Sequence, residues 1–184
     1  MKMKNKIQTQ SGYTLVELTI GITVASLVLS ATLMGVQRMM DSLAMNKSVE
    51  QIAKAVSNIK KITIRDNDKS FITDFNMTRP TTNAFADFSV VSTGVSTVVI
   101  RNAKGDQVYL NGDASPKTFR IGIVNTNPAD CLDYIYQLES LAAYVWVYRD
   151  AYYEVKGPER PFTSDKARLE CPNVQQVLFQ FPMQ

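Results

Sequence analysis

Residues 11–40 read SGYTLVELTIGITVASLVLSATLMGVQRMM. Residues 18–37 within this stretch carry no charge. In a helix rising 1.5 Å per residue, such a run covers about 30 Å, the hydrocarbon thickness of a bilayer. One carboxylate, Glu17, stands at the mouth of the run. A charge beside lipid is costly unless it meets a partner. The partner of Glu17 is therefore the first functional question the sequence poses.

On the N-terminal side, residues 1–12 are polar and basic, with Lys2, Lys4 and Lys6. Lysines ahead of an apolar run favour a cytoplasmic N-terminus. A secretory signal has an apolar core of about 7–15 residues and then a small-residue cleavage site. Here the core is longer, and no turn or clear A-x-A site follows. The chain continues as VQRMMDSLAMNKSVEQIAKAVSNIKKI, with Val49, Ile52, Val56 and Ile59 repeating at helical spacing on one face. The first proline is Pro80. The pattern predicts one unbroken helix from about Tyr13 to about Ile64, roughly 78 Å long. Its first half suits lipid or other apolar helices, and its second half has one stripe suited to covering a sheet. Gly21 with Ala25, Ser26 with Ser30, and Ala31 with Gly35 form small pairs four residues apart, which allow close helix approach in an apolar medium.

The remainder looks like an ordinary globular domain. The net charge is +3, and Lys2, Lys4 and Lys6 account for all of it. A balanced body gives no electrostatic reason to expect nucleic acid. The chain has no histidine, which removes the commonest general base and the commonest metal ligand. Two cysteines without CxxC spacing make no zinc site. No phosphate-binding loop or dinucleotide fingerprint occurs. No enzyme, cofactor or metal is expected.

Residues 66–96 lack periodicity and are predicted to be a long connection with short local structure. STVVI and RNAKGDQVYLNG follow, with a hairpin turn at Lys104-Gly105-Asp106. TFRIGIVN places Phe119, Ile121 and Ile123 on one face. Asn127-Pro128 opens a helical stretch with Leu132, Ile135 and Leu138. YVWVYRD and VQQVLFQFP are further strand candidates. The pattern is α+β: a long N-terminal helix packed on a C-terminal antiparallel sheet.

SG-YTLVELTI resembles the processing site of type IV prepilins: a short basic leader ending in glycine, then a mature chain with glutamate at its fifth position in an apolar helix. On that resemblance Gly12 ends the leader and Tyr13 begins the mature protein, where the family more often has phenylalanine, methionine or leucine. Tyr13 would then be the N-methylated residue, and Glu17 the fifth. Cleavage exposes an amine that is positively charged near neutral pH. In a filament of parallel helices, Glu17 would meet the amine of a neighbouring subunit and set the register, since a paired charge is tolerated in an apolar core and a lone one is not. The implied organisation is a leader at 1–12, a transmembrane and polymerisation helix at 13–37, its amphipathic half at 38–64, and a globular head at 65–184.

This leader places the head in an oxidising compartment, where Cys131 and Cys171 are expected to bond. FRIGIVNTNPADCLDYIYQL and LECPNVQQVLFQFP resemble the distal half of type IVb pilins. There a disulfide encloses the variable D-region, a bond that secretion pseudopilins usually lack. The resemblance implies a bacterial pilus (fimbrium) subunit, major or minor, with a type II secretion pseudopilin as the alternative. Implied partners are further copies of the chain in a helical filament, the prepilin peptidase, an assembly ATPase and platform, and a secretin. The implied location is the inner membrane with a periplasmic head, then an extracellular fibre serving adhesion, aggregation, secretion or conjugation. A membrane-tethered binding domain is the reading from another class.

Four minor features complete the sequence. Tyr134, Tyr136, Tyr144, Trp146, Tyr148, Tyr152 and Tyr153 form an aromatic-rich region, expected to be half core and half filament contact, with a carbohydrate or adhesion surface as the alternative. KGPERP, residues 156–161, is an expected exposed loop. Asn46-Lys47-Ser48 and Asn76-Met77-Thr78 match a glycosylation sequon by chance. Asp66 and Asp68 are expected to face water rather than hold calcium.

Overall fold

The structure is a computed structural model that describes residues 14–66, 83–92, 98–112, 117–124 and 126–183. The chain divides into two compact units, Met1–Met40 and Asp41–Gln184. Helix α1 runs over Leu15–Asp66 without a break, as expected where no proline interrupts the intrahelical ladder.

Within the second unit, seven strands form one antiparallel sheet among the described residues. They are β1 (Ser89–Ser92), β2 (Val98–Arg101), β3 (Gln107–Gly112), β4 (Thr118–Val124), β5 (Tyr144–Tyr148), β6 (Tyr152–Lys156) and β7 (Gln176–Pro182). The spatial order is β1-β2-β3-β4-β7-β5-β6. Helix α2 (Pro128–Leu138) follows β4, and α3 (Ser164–Glu170) precedes β7. The chain leaves β4, passes through α2, makes the β5–β6 hairpin, and returns through α3 to set β7 between β4 and β5.

Alternation decides which face of the sheet is covered. Phe119, Ile121 and Ile123 of β4, and Val177, Phe179 and Phe181 of β7, are each fully buried. They share one core with Met45, Ile52, Ala55, Val56 and Ile59 from the second half of α1. Each of these side chains except Ala55 contributes about 1.5–3 kcal/mol by leaving water. Asn127 caps α2, its side chain accepting a bond from the Asp130 amide. Gly105 supplies the positive φ of 93° that the β2–β3 turn needs.

Three elements differ from the sequence expectation. β1 lies inside the segment expected as a connection; four residues, SVVS, are too few for alternation to stand out, and pairing with β2 supplies the order. β6 is not marked by apolar alternation, because Val155 is the one buried side chain of its five. α3 is only seven residues, too short for a helical period. In the aromatic region, only Tyr134 is fully buried; Tyr136 and Tyr152 are exposed and the rest are half-buried. The half-core expectation fails because β5 turns Tyr144, Trp146 and Tyr148 to the face opposite Val145 and Val147. KGPERP is pinched by a bridge between Gly157 and Arg160, with residues 158–160 exposed. Ser48 of the first sequon is fully buried in α1, which accords with a chance match. Asn76-Met77-Thr78, Asp68 and the Asp66 side chain lie outside the described residues.

Candidate functional site

The N-terminal half of α1 carries its apolar side chains outward. Leu15, Val16, Leu18, Ile20, Ile22, Val24, and further residues to Leu43 are more than half exposed. Among the described residues, α1 is the one helix long and apolar enough to cross a membrane. Its hydroxyls are turned inward on its own backbone. Thr23 Oγ1 donates to the Thr19 carbonyl at 2.7 Å, Ser30 Oγ to that of Ser26 at 2.8 Å, and Thr32 Oγ1 to that of Val28 at 3.0 Å. Ser26 Oγ bonds the Ile22 carbonyl likewise. A helix that satisfies its own hydroxyls offers a dry surface to lipid or to other helices. At Gly21 and Gly35 an added Cβ would meet nothing within 4 Å. Their small surfaces therefore answer no contact within the described chain.

Glu17 sits in the first turn of α1, and the structure gives it a local partner that sequence reasoning missed. Its Oε2 accepts a bond from the Thr14 amide at 3.0 Å and from Thr14 Oγ1 at 3.1 Å. The Glu17 amide in turn donates to Thr14 Oγ1 at 3.3 Å. This is a capping box, legible in advance as the T-x-x-E spacing of residues 14–17. It satisfies otherwise orphaned helix N–H groups and aims the carboxylate at the helix start. An ionised carboxylate accepts about four bonds, so the box leaves it acceptor capacity. Gly12 and Tyr13 lie outside the described residues.

In the second unit, Cys131 on α2 and Cys171 at the end of α3 are bonded, with Cα atoms 5.8 Å apart. The bond closes the segment that holds β5 and β6. That segment is also tied to the core by a polar network centred on the β2–β3 turn. Lys104 N donates to Ser48 Oγ at 3.0 Å, and Ala103 N to Gln51 Oε1 at 2.8 Å, both on α1. Asn102 Nδ2 donates to the Tyr134 hydroxyl, which donates to Asp106 Oδ2, each at 2.7 Å. Lys104 Nζ pairs with Asp130 at 2.6 Å. The turn therefore bolts α2 to α1. Among the described residues, no three His, Cys, Asp or Glu side chains come together as a metal site would require.

Tyr134→Phe is expected to cost about 1–3 kcal/mol, because Asn102 and Asp106 lose a buried partner at once. Urea unfolding of the purified protein measures it, and an unchanged midpoint would mean the network carries no stability. Burial, then the bond to Asp106, pushes the Tyr134 phenol well above its usual value. Burial likewise raises Tyr109 on β3. Both are raised on folding, so their contribution is complete below the unfolded pKa of about 10 and is lost as pH rises beyond it. The urea midpoint should fall between about pH 9 and pH 11, and Tyr134→Phe should flatten that fall.

No family model and no curated protein matches the sequence. Among solved structures, the type IVb pilin from Salmonella typhi superimposes with a TM-score of 0.53 at 11% identity, over 73% of this chain and 97% of that one. The two share a fold: a long N-terminal helix with an antiparallel sheet, here carrying the Cys131–Cys171 bond.

Proposed function

We propose that the chain is a structural subunit of a type IVb pilus, polymerised through the N-terminal half of α1 into an extracellular fibre. The observation that carries this is an apolar half-helix, exposed and self-satisfied in its hydroxyls, on a chain with a pilin fold. Such a surface is covered by lipid before assembly and by neighbouring helices after it. In this reading residues 1–12 are the leader, removed by the prepilin peptidase after Gly12. Residues 13–37 then serve as the membrane and polymerisation segment, 38–64 as the amphipathic half of the helix, and 65–184 as the head. Tyr13 is N-methylated, and Glu17 pairs with the amine of an adjacent subunit. The subunit waits in the inner membrane with its head in the periplasm, and an assembly ATPase, platform and secretin move the fibre out. The fibre serves adhesion, aggregation, secretion or conjugation. The disulfide favours a pilin over a secretion pseudopilin. The share of this chain in purified fibres separates a major from a minor subunit.

The test is the intact mass of membrane-extracted protein. Loss of residues 1–12 with one added methyl group is the expected result, and Gly12→Asp should leave the leader in place. An uncleaved wild-type chain, or a start elsewhere than Tyr13, overturns the proposal.

A further inference from the structure

The sheet face turned away from α1 carries a small hollow of about 290 Å³, lined by Arg120, Trp146, Tyr152 and Leu178. Strand registers set Gly122, Leu178, Trp146 and Glu154 in one row across β4, β7, β5 and β6. Leu178 is the floor, only 5% exposed although it points away from the core. Trp146 is held by its stack on Tyr144, with planes 4° apart and centroids at 5.1 Å. Tyr152 is the exposed member of the four, at 58%, and its ring centre lies 4.9 Å from that of Tyr148. Arg120 is already engaged: its Nε donates to Gln180 Oε1 at 3.2 Å, and its guanidinium carbon lies 5.4 Å from the Trp146 ring centre. It serves as a wall. Two polar tips remain. Among the described residues, neither the Trp146 indole N–H nor the Tyr152 hydroxyl makes a hydrogen bond.

We propose that this hollow binds one uncharged pyranose ring, a neutral sugar residue of a glycan. The volume lies at the lower end of the roughly 300–1,000 Å³ typical of small-molecule sites, which suits one ring. The leucine floor and the aromatic walls offer apolar area to the C–H face of a sugar. The indole N–H donates only, while the tyrosine hydroxyl both donates and accepts. Sugar hydroxyls fill both roles, whereas an apolar ligand would strip water from the two tips and return no hydrogen bond. Charge points to a neutral ring. Glu154 faces Trp146 across the β5–β6 register, so charges of opposite sign flank the indole, and Arg120 is taken up by Gln180 and the ring. A charged sugar would lose hydration here and find no counter-charge reserved for it. The stacked rings and the tethered arginine are in place before a ligand arrives, which lowers the ordering cost of binding. The proposal concerns the head and stands whether or not the chain polymerises.

Trp146 is the single tryptophan of the chain, so intrinsic fluorescence reports on the hollow directly. Full-length protein, in a detergent without a sugar headgroup, is titrated with the methyl β-pyranosides of glucose, galactose and mannose. Methyl β-glucuronide is the charged comparison, and cyclohexanol is the ring with a single hydroxyl. A saturable change with a dissociation constant on the order of 1–10 mM is expected for at least one neutral sugar. Raising the salt should leave it unchanged. The glucuronide should bind no tighter than the glucoside, and cyclohexanol at least about tenfold weaker than the best sugar. Tyr152→Ala, a change at an exposed side chain, should weaken binding about threefold or more without moving the unfolding midpoint, and Tyr152→Phe should recover part of the loss. No saturable change up to about 100 mM overturns the proposal. Tighter binding of the glucuronide overturns it in favour of a charged site, and equal binding of cyclohexanol in favour of a merely apolar hollow. Unchanged affinity in Tyr152→Ala puts the sugar elsewhere and overturns it too. So does a fluorescence change that follows protein concentration and not sugar, which would mean that this face pairs two copies of the chain.

Discussion

Fibre assembly is expected to fall by about two to three orders of magnitude in Glu17→Ala and in Glu17→Gln, while leader cleavage and the folded head survive. The incoming amine of a neighbour would enter an apolar core with no opposite charge to meet it. The capping box makes the pair of substitutions informative. Glutamine is competent at the third position of a capping box, so Glu17→Gln removes the charge and keeps the bonds to Thr14. Glu17→Ala removes both. Thr14→Ala removes the hydroxyl contacts and keeps the charge, at a helix-capping cost of about 0.5–2 kcal/mol. If charge sets the register, the two Glu17 variants fail alike and Thr14→Ala assembles far better than either. If the helix start is what counts, Glu17→Gln assembles and Thr14→Ala does not. Fibres are counted by electron microscopy in a strain lacking the native gene. Normal numbers from Glu17→Ala alone would refute the register role. In a minor subunit the same change would instead lower fibre initiation, with the major subunit still cleaved.

Removing the disulfide is the second large effect. Cys131→Ser with Cys171→Ser should destabilise the head, with roughly 4 kcal/mol at most coming from the entropy returned to an open loop. The loop spans 40 residues, and both sulfurs are buried, so the hydroxyls that replace them also lose solvation. Urea unfolding reads the change, and peptide mapping without reductant should recover both cysteines in one linked species from the wild type. Free thiols in wild-type protein recovered from its native compartment, or an unchanged midpoint in the double variant, would sink this expectation.

The long helix was legible because its evidence is local: no proline, one apolar run, then a stripe at Ile52, Val56 and Ile59. The inward face of β4 was legible for the same reason, through alternation at Phe119, Ile121 and Ile123. The strand order was not. Periodicity marks β7 as a strand but says nothing of its neighbours. It is covered on both faces, since Leu178 and Gln180 are hidden beneath outer-face side chains, a consequence of side chains from other strands. The polar network escaped because Ser48, Asn102 and Tyr134 are brought together only by the fold. The capping box at residues 14–17 is a different kind of miss. Its spacing is in the sequence, but an acid beside an apolar run directed attention to distant partners and away from Thr14.

The position of β7 between β4 and β5 has a temporal consequence. Four strands on one side and two on the other have no direct pairing until a segment later in the chain than all of them arrives. The sheet therefore cannot zip up in the order in which the polypeptide emerges. The earlier strands must wait with unpaired edges at β4 and β5, where another chain can add on. Closure of such non-local contacts is slow because the intervening loop must first be ordered. On this account the vulnerable interval is the one before β7 docks. Oxidation of Cys131 with Cys171 shortens the search, since it tethers the base of β7 beside α2 five residues before the strand begins.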